Sequence, residues 1–183
     1  QRVHESATRS AHLVNQLLTL ARAEPESAAA QGRTRVELLK LAGEVAAEWV
    51  PKARQAGIDL GFEDGDGSPV VVSGNALLLR EAIANLIDNA VRYAGRGASV
   101  TVRVRVLGPD AQIEVEDNGP GIAPADRERV FERFARATMH GDGCGLGLPI
   151  VREIAQRHGG QVSLEGAAPK GLRVLLRLPR LPA

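Results

Sequence analysis

Asn85, Asn89, Arg92 and Tyr93 are spaced by four, three and one, so on a helix they form one stripe. An asparagine carbonyl is a hard oxygen ligand suited to magnesium, which keeps several waters and takes one or two protein oxygens together with substrate phosphates. Arginine beside it suits a phosphate. Further on, DNGPGI (residues 117–122) places the carboxylate of Asp117 before a turn whose glycines, Gly119 and Gly121, let backbone approach a ligand closely. A carboxylate there can accept a hydrogen bond from an amino group. GDGCGLGL (residues 141–148) carries Gly141, Gly143, Gly145 and Gly147 and runs directly into a helical pattern, so that backbone N–H groups at the helix start can hold phosphate oxygens. Taken singly, each segment also fits something plainer: a solvated helix face, an Asx-capped turn, a glycine hinge. The glycine spacing is not a dinucleotide fingerprint, since the third glycine counted from Gly143 would fall on Leu148, and no GK[ST] is present for a P-loop.

The elements that must position these residues follow from periodicity. Asn75 is a good N-cap for a helix reaching Tyr93, with Leu79, Ile83, Leu86, Ile87 and Ala90 facing a core and the polar stripe beside that face. A helix over residues 37–55 buries Leu38, Leu41, Val45, Ala46 and Trp49 and stops at Gly57. Residues 58–62 and 69–72 are short extended runs. Residues 99–106 and 112–116 alternate around LGPDA as a hairpin. A helix over residues 146–158, stopped by Gly159 and Gly160, precedes strands near 161–164 and 172–178. The expected fold is therefore a mixed sheet covered by helices. In RVFERFAR (residues 129–136), Phe131 and Phe134 are two of only three phenylalanines, and their spacing of three predicts a helical turn docked on the core.

Upstream, Ala7, Ala11, Val14, Leu18 and Ala21 recur at alternating spacings of four and three, with Leu13, Leu17 and Leu20 widening the face. That is a bundle helix, marginal in water without partners. Residues 25–35 read as a linker, which places the domain at 36–180. The sequence opens mid-pattern without methionine and is expected to be part of a longer chain.

The 23 basic and 22 acidic residues are spread evenly, giving a net charge of +1, so no electrostatic footprint for nucleic acid is present. One cysteine, Cys144, supplies neither a disulfide framework nor a cysteine-rich metal site, and no apolar run is long enough to span a membrane.

NLIDNAVRY, DNGPGI, ERVFERFAR and GCGLGLPIV, in this order, resemble the N, G1, F and G2 boxes of sensor histidine kinases of two-component systems. HLVNQLLTLARAE resembles the second helix of their dimerisation hairpin. The resemblance implies an α/β (α+β) two-layer sandwich, the Bergerat ATP-binding fold, preceded by a bundle helix (residues 1–24). It implies ATP and Mg2+ as cofactors. Asn89 would coordinate the metal, Asn85 would sit at the triphosphate as the catalytic amide, and Arg92 would contact phosphate. Tyr93 would pack at the base of the pocket, and Asp117 would read the adenine amino group, with Gly119, Gly121 and Ile122 shaping its pocket. Phe134 would belong to the nucleotide site. Gly143, Gly145, Leu146, Gly147 and Leu148 would close over the phosphates. A lid would span residues 133–143. The implied partners are the dimerisation hairpin of a homodimer and a response regulator, with the membrane reached only through upstream segments and the domain on the cytoplasmic side of a bacterial inner membrane.

The phosphoacceptor motif of the family is absent. His4 is followed by an acidic residue but by none of the rest of the motif, and His12 has no acidic neighbour; both read as solvated helix residues. His140 falls in the lid, and His158 ends a helix, where a cation suits the dipole. Cys144 stands where the family usually has a small hydroxyl residue, and the lid is short. Gyrase-type and chaperone-type ATPases of the same fold carry an acidic residue where this chain has Asn85, and an amide is no general base for water. Transfer to a protein side chain is therefore the expected chemistry, with a non-catalytic nucleotide-binding module as the alternative.

Overall fold

The computed structural model describes residues 32–65, 67–132 and 145–182. The bundle helix expected at residues 5–23, the lid, Phe134, His140, Gly143 and Cys144 lie outside them. In chain order the elements are β1 (Thr34–Glu37), α1 (Leu38–Ala56), β2 (Asp59–Glu63), β3 (Val71–Gly74), α2 (Ala76–Tyr93), β4 (Ser99–Leu107), β5 (Asp110–Asp117), α3 (Gly147–Arg157), β6 (Gln161–Gly166) and β7 (Leu172–Pro179), with two 3-10 turns at Pro124–Asp126 and Arg129–Phe131.

Five strands form one sheet in the order β2-β4-β5-β7-β6, and β1 pairs with β3 in a separate ribbon. β2 runs parallel to β4 and the other neighbours are antiparallel. The three α-helices of the described residues pack on the sheet, with α2 between α1 and α3. This is the two-layer sandwich expected.

Strict alternation builds the sheet. Ala111, Ile113 and Val115 are buried with Val100, Val102, Val104, Val174 and Leu176 beneath the helices. On the other face Arg103, Glu114, Glu116 and Arg173 carry charge beside Gln112 and the buried Leu175. Arg103 stands opposite Glu114, and Glu116 opposite Arg173. Glu114 is 3% exposed and lies 3.0 Å from the Arg103 guanidinium and 3.5 Å from that of Arg173. A carboxylate this deep is tolerable because two cations share it. The hairpin turn is tighter than sequence suggests, with Leu107 paired to Asp110 around Gly108 and Pro109.

The helices are delimited as their end residues dictate. Glu37 caps α1, its carboxylate accepting from the N–H groups of Leu39 (2.9 Å) and Lys40 (2.7 Å), and Gly57 ends the helix in the left-handed region at φ 73°. Asn75 Oδ1 accepts from the N–H groups of Leu77 (2.9 Å) and Leu78 (3.2 Å), fixing the start of α2. Thr34 and Arg35, which resemble linker in composition, are instead the first half of β1, where only Val36 is buried. The second extended run lies two residues later than expected, as β3.

Replacing Ile83, fully buried on the inner face of α2, by alanine is expected to remove about 2–5 kcal/mol of stability, as large-to-small core substitutions do. Urea unfolding should show a lower midpoint with unchanged slope. A loss within ~0.5 kcal/mol would contradict the central place given to α2.

Candidate active site

The polar stripe of α2 meets the start of α3. Asn85 is 5% exposed, and its Nδ2 donates to the Glu81 carbonyl at 2.9 Å and to the Glu81 carboxylate at 3.2 Å. Those two bonds turn Oδ1 toward α3. A methyl placed on Gly147 would lie 3.1 Å from both polar atoms of the Asn89 amide and 3.4 Å from Asn85 Oδ1. The absent side chain is what lets two amides reach the helix start. Asn89 Nδ2 is buried without a hydrogen-bond partner, a costly state for a donor that an acceptor entering from the cleft would relieve.

No side chain caps α3. Its first internal bond runs from the Ile150 N–H to the Leu146 carbonyl at 3.0 Å, and Pro149 has no N–H, so the N–H groups before it point out of the helix start with the positive end of its dipole. Gly145 sits at φ 67°, left-handed backbone that turns the chain into this helix start. Leu146 is buried and Leu148 packs against the core. They anchor the first turn and leave its backbone to face the cleft.

Flanking Asn89 on the side toward α1, Asp88 and Arg92 form an ion pair, Arg92 Nε to Asp88 Oδ2 at 2.7 Å, while Lys52 of α1 reaches Asp88 Oδ1 at 2.8 Å. Asp88 is 6% exposed and holds Arg92 by one of its five N–H donors, leaving the others for an anion. The Lys52 ammonium also lies 3.9 Å over the Trp49 ring. Tyr93 is 39% exposed. It lines an open cleft of about 520 Å3 with Lys52, Gln55, Arg92 and Arg96, where packing at the base of a pocket was expected.

At the far end of α2, the turn after β5 comes to rest on the helix terminus. A methyl on Gly119 would lie 2.6 Å from Ala94 Cα, and one on Gly171 would lie 1.8 Å from the Asp117 carbonyl oxygen. Three backbones thus converge where side chains cannot enter. Gly121 fits against Gly171, and Ile122 packs against the core while its carbonyl accepts from Arg127 Nε at 3.2 Å. Asp117 Oδ1 accepts from the Gly119 N–H at 2.8 Å, and the Leu172 N–H also bonds its carboxylate. Each carboxylate oxygen can accept twice, so an incoming amino group can still be received. Burial raises the Asp117 pKa above its ordinary 3.8, and the two N–H bonds oppose that rise.

The structure therefore brings Asn85, Asn89, Gly147 and the start of α3 together and sets Asp117, Gly119 and Gly121 at the end of the same helix. Five residues from Asn89 to Ala94 span about 7–8 Å along α2. Glu81, Asp88 and Gly171 escape a motif reading. The first two carry an i, i+4 signal, to Asn85 and to Arg92; Gly171 is distant in sequence and carries none. Phe131 is buried as expected, with the Arg152 guanidinium 4.2 Å from its ring centre. His158 is not the helix-end cation that sequence suggests: it is 7% exposed and burial lowers its pKa from 6.5.

Residues 74–182 match the family model described as histidine kinase-, DNA gyrase B-, and HSP90-like ATPase. The chain belongs to this ATPase family. Its catalytic domain is that of the sensor histidine kinases. Over 181 residues it is 38% identical to the sensor protein kinase PmrB of Pseudomonas aeruginosa, covering 97% of this chain and 37% of that protein. Among solved structures, the ATP-binding domain of PrrB from Mycobacterium tuberculosis superposes with a TM-score of 0.66 at 31% identity, covering 82% of this chain and 98% of that one. Full-length ShkA in complex with AMPPNP gives a TM-score of 0.79 at 28% identity, covering 100% of this chain and 39% of that one. The chain spans well under half the length of the curated relatives it matches.

Asp117 supplies a pH test. With its folded-state pKa raised, its stabilising share is present below the unfolded pKa and lost as pH rises through the folded value. Asp117→Asn, which still accepts from Gly119, is expected to melt at or above the wild-type temperature at pH 7. That advantage should shrink as pH falls through the carboxylate range. A variant that melts lower at pH 7 and recovers in acid would contradict the burial argument.

Proposed function

We propose that the chain is the phosphoryl-donor part of a sensor histidine kinase: it binds ATP with Mg2+ between α2 and α3 and transfers the γ-phosphoryl group to a histidine of the dimerisation hairpin, for onward transfer to a response regulator. One observation carries this reading, the Asn89 amide set against the uncapped start of α3 with Nδ2 unpartnered.

The donor set fits the metal. Beside Gly147 the site offers the amide oxygens of Asn85 and Asn89, with the Glu81 carboxylate bonded to Asn85 Nδ2. That suits magnesium, which keeps water and takes its remaining ligands from phosphates. Asn89 would hold it. When bound, the ion neutralises charge on the transferring phosphoryl group. The chain's own residues do the rest. The N–H groups at the start of α3 receive phosphate oxygens, Arg92 offers its remaining donors, and Asp117 accepts from the adenine amino group. Asn85, held by Glu81, keeps its carbonyl at the cleft; being an amide, it does not activate water, which favours a protein acceptor over hydrolysis. Catalysis is then mainly positioning and electrostatics.

The four- and three-residue spacing of apolar residues at 7–21 supports a hairpin helix and assembly as a homodimer through it, and the catalytic unit, expected at 36–180, takes in β1 from Thr34. Among the described residues no helix is long and apolar enough to cross a membrane. We place the domain on the cytoplasmic side of an inner membrane, reached through upstream segments.

Labelled ATP and an intact hairpin carrying its acceptor histidine test the reading: label should appear on that histidine. Binding without transfer would leave a nucleotide-binding module. Asn89→Ala is expected to lose the Mg2+-dependent part of ATP binding in a titration with and without the ion. Unchanged dependence would remove Asn89 as the ligand.

A further inference from the structure

At the end of α3 away from the cleft, His158 is wedged under the ribbon. Its Nε2 accepts from the Asn75 backbone N–H at 3.1 Å, and its Nδ1 stands 2.7 Å from the Ile154 carbonyl. A backbone N–H only donates and a carbonyl only accepts, so the ring is neutral with its proton on Nδ1. A methyl on Gly74 would lie 2.7 Å from ring Cδ2, so β3 leaves room for the ring and nothing else. Asn75 is also the cap that starts α2. One imidazole thus joins the last turn of the helix that presents Gly147 to the capping residue of the helix that presents Asn89.

We propose that His158 is a positioning residue: by pinning the end of α3 to the start of α2 it sets the spacing across the Asn89–Gly147 cleft, and a proton on Nε2 releases the pin. The inference rests on the phosphate cleft assigned above. Its lever is α3, whose 11 residues span about 16 Å. A protonated Nε2 would face the Asn75 N–H donor to donor, so the bond is lost and the two helices are free to shift.

The surroundings oppose that proton. Arg33, just before β1, donates to the Arg157 carbonyl and, with Arg157, acts on the ring as a cation. Arg157 is paired through Nε with Glu153 at 2.9 Å. β3 and α2 present Gly74, Asn75 and Leu79, which carry no charge, and β7 meets the adjoining glycines with Pro179, Leu178 and a backbone carbonyl. Burial and the two arginines hold the pKa below 6.5 against the Ile154 bond. The stabilising share of the neutral ring is therefore present above 6.5 and lost as pH falls through the folded value.

Nuclear magnetic resonance of the whole chain, without nucleotide, reads the cleft directly. The Asn89 side-chain amide and the Gly147 N–H are expected to titrate with the midpoint of the His158 ring, and Mg-ATP affinity to fall several-fold over the same range. In His158→Gln the titration should vanish. Should that variant fail to fold, Arg33→Ala serves: removing the cation raises the ring's midpoint, and the cleft signals should move up with it, which separates them from Asp117, whose burial is unrelated to Arg33. Cleft signals and affinity that stay fixed while the ring titrates would overturn the proposal. Cleft signals that follow the ring in a protein that binds no ATP at any pH would sustain it and overturn the kinase reading instead.

Discussion

Helix α2 has to satisfy two demands with one surface. Leu79, Ile83, Leu86 and Ile87 are fully buried, so its rotation about its own axis is fixed by the core, and with it the direction in which Asn85 and Asn89 point. Burial of these four side chains contributes on the order of 1.5–3 kcal/mol each, far more than any single polar contact in the cleft. The apolar face therefore dictates where the amides lie, and the cleft is arranged around them. α3 approaches these amides closely at its first residue, Gly147, where a Cβ would crowd the Asn89 amide at 3.1 Å.

Local stability is given up where a ligand would restore it. Asn89 Nδ2 is buried without a partner and Asp117 is a carboxylate that burial disfavours. Both are groups whose unpaired or charged state is costly in the isolated protein and whose needs a phosphate oxygen and an amino group, respectively, would meet. Arg92 is treated in the opposite way. Asp88 pairs with it and with Lys52, so its position is set before any anion arrives.

Much of this was open to a sequence reading because local rules and tertiary structure agree. Asn75 as a cap, the period of α2, Gly57 as a stop and the alternation of β4 and β5 all express short-range chemistry that the fold retains. Asn85, Asn89 and Gly147 were legible through their box spacing. What could not be read is what depends on partners distant in sequence. β1 has one buried residue and exists because β3 lies beside it. Gly171 matters because the Asp117 backbone touches it. His158 looks like a helix-end cation until Gly74 and Asn75 close over it.

An adenine nucleotide in this cleft would be held through Asp117 at one end and Asn89 with the α3 start at the other. A calorimetric titration of the chain with ATP and Mg2+, beside GTP and Mg2+ under the same conditions, tests both ends at once, because guanine lacks the amino group that Asp117 would accept from. Saturable heat with ATP and none with GTP is the expected result; equal binding of the two, or none of either, would contradict it.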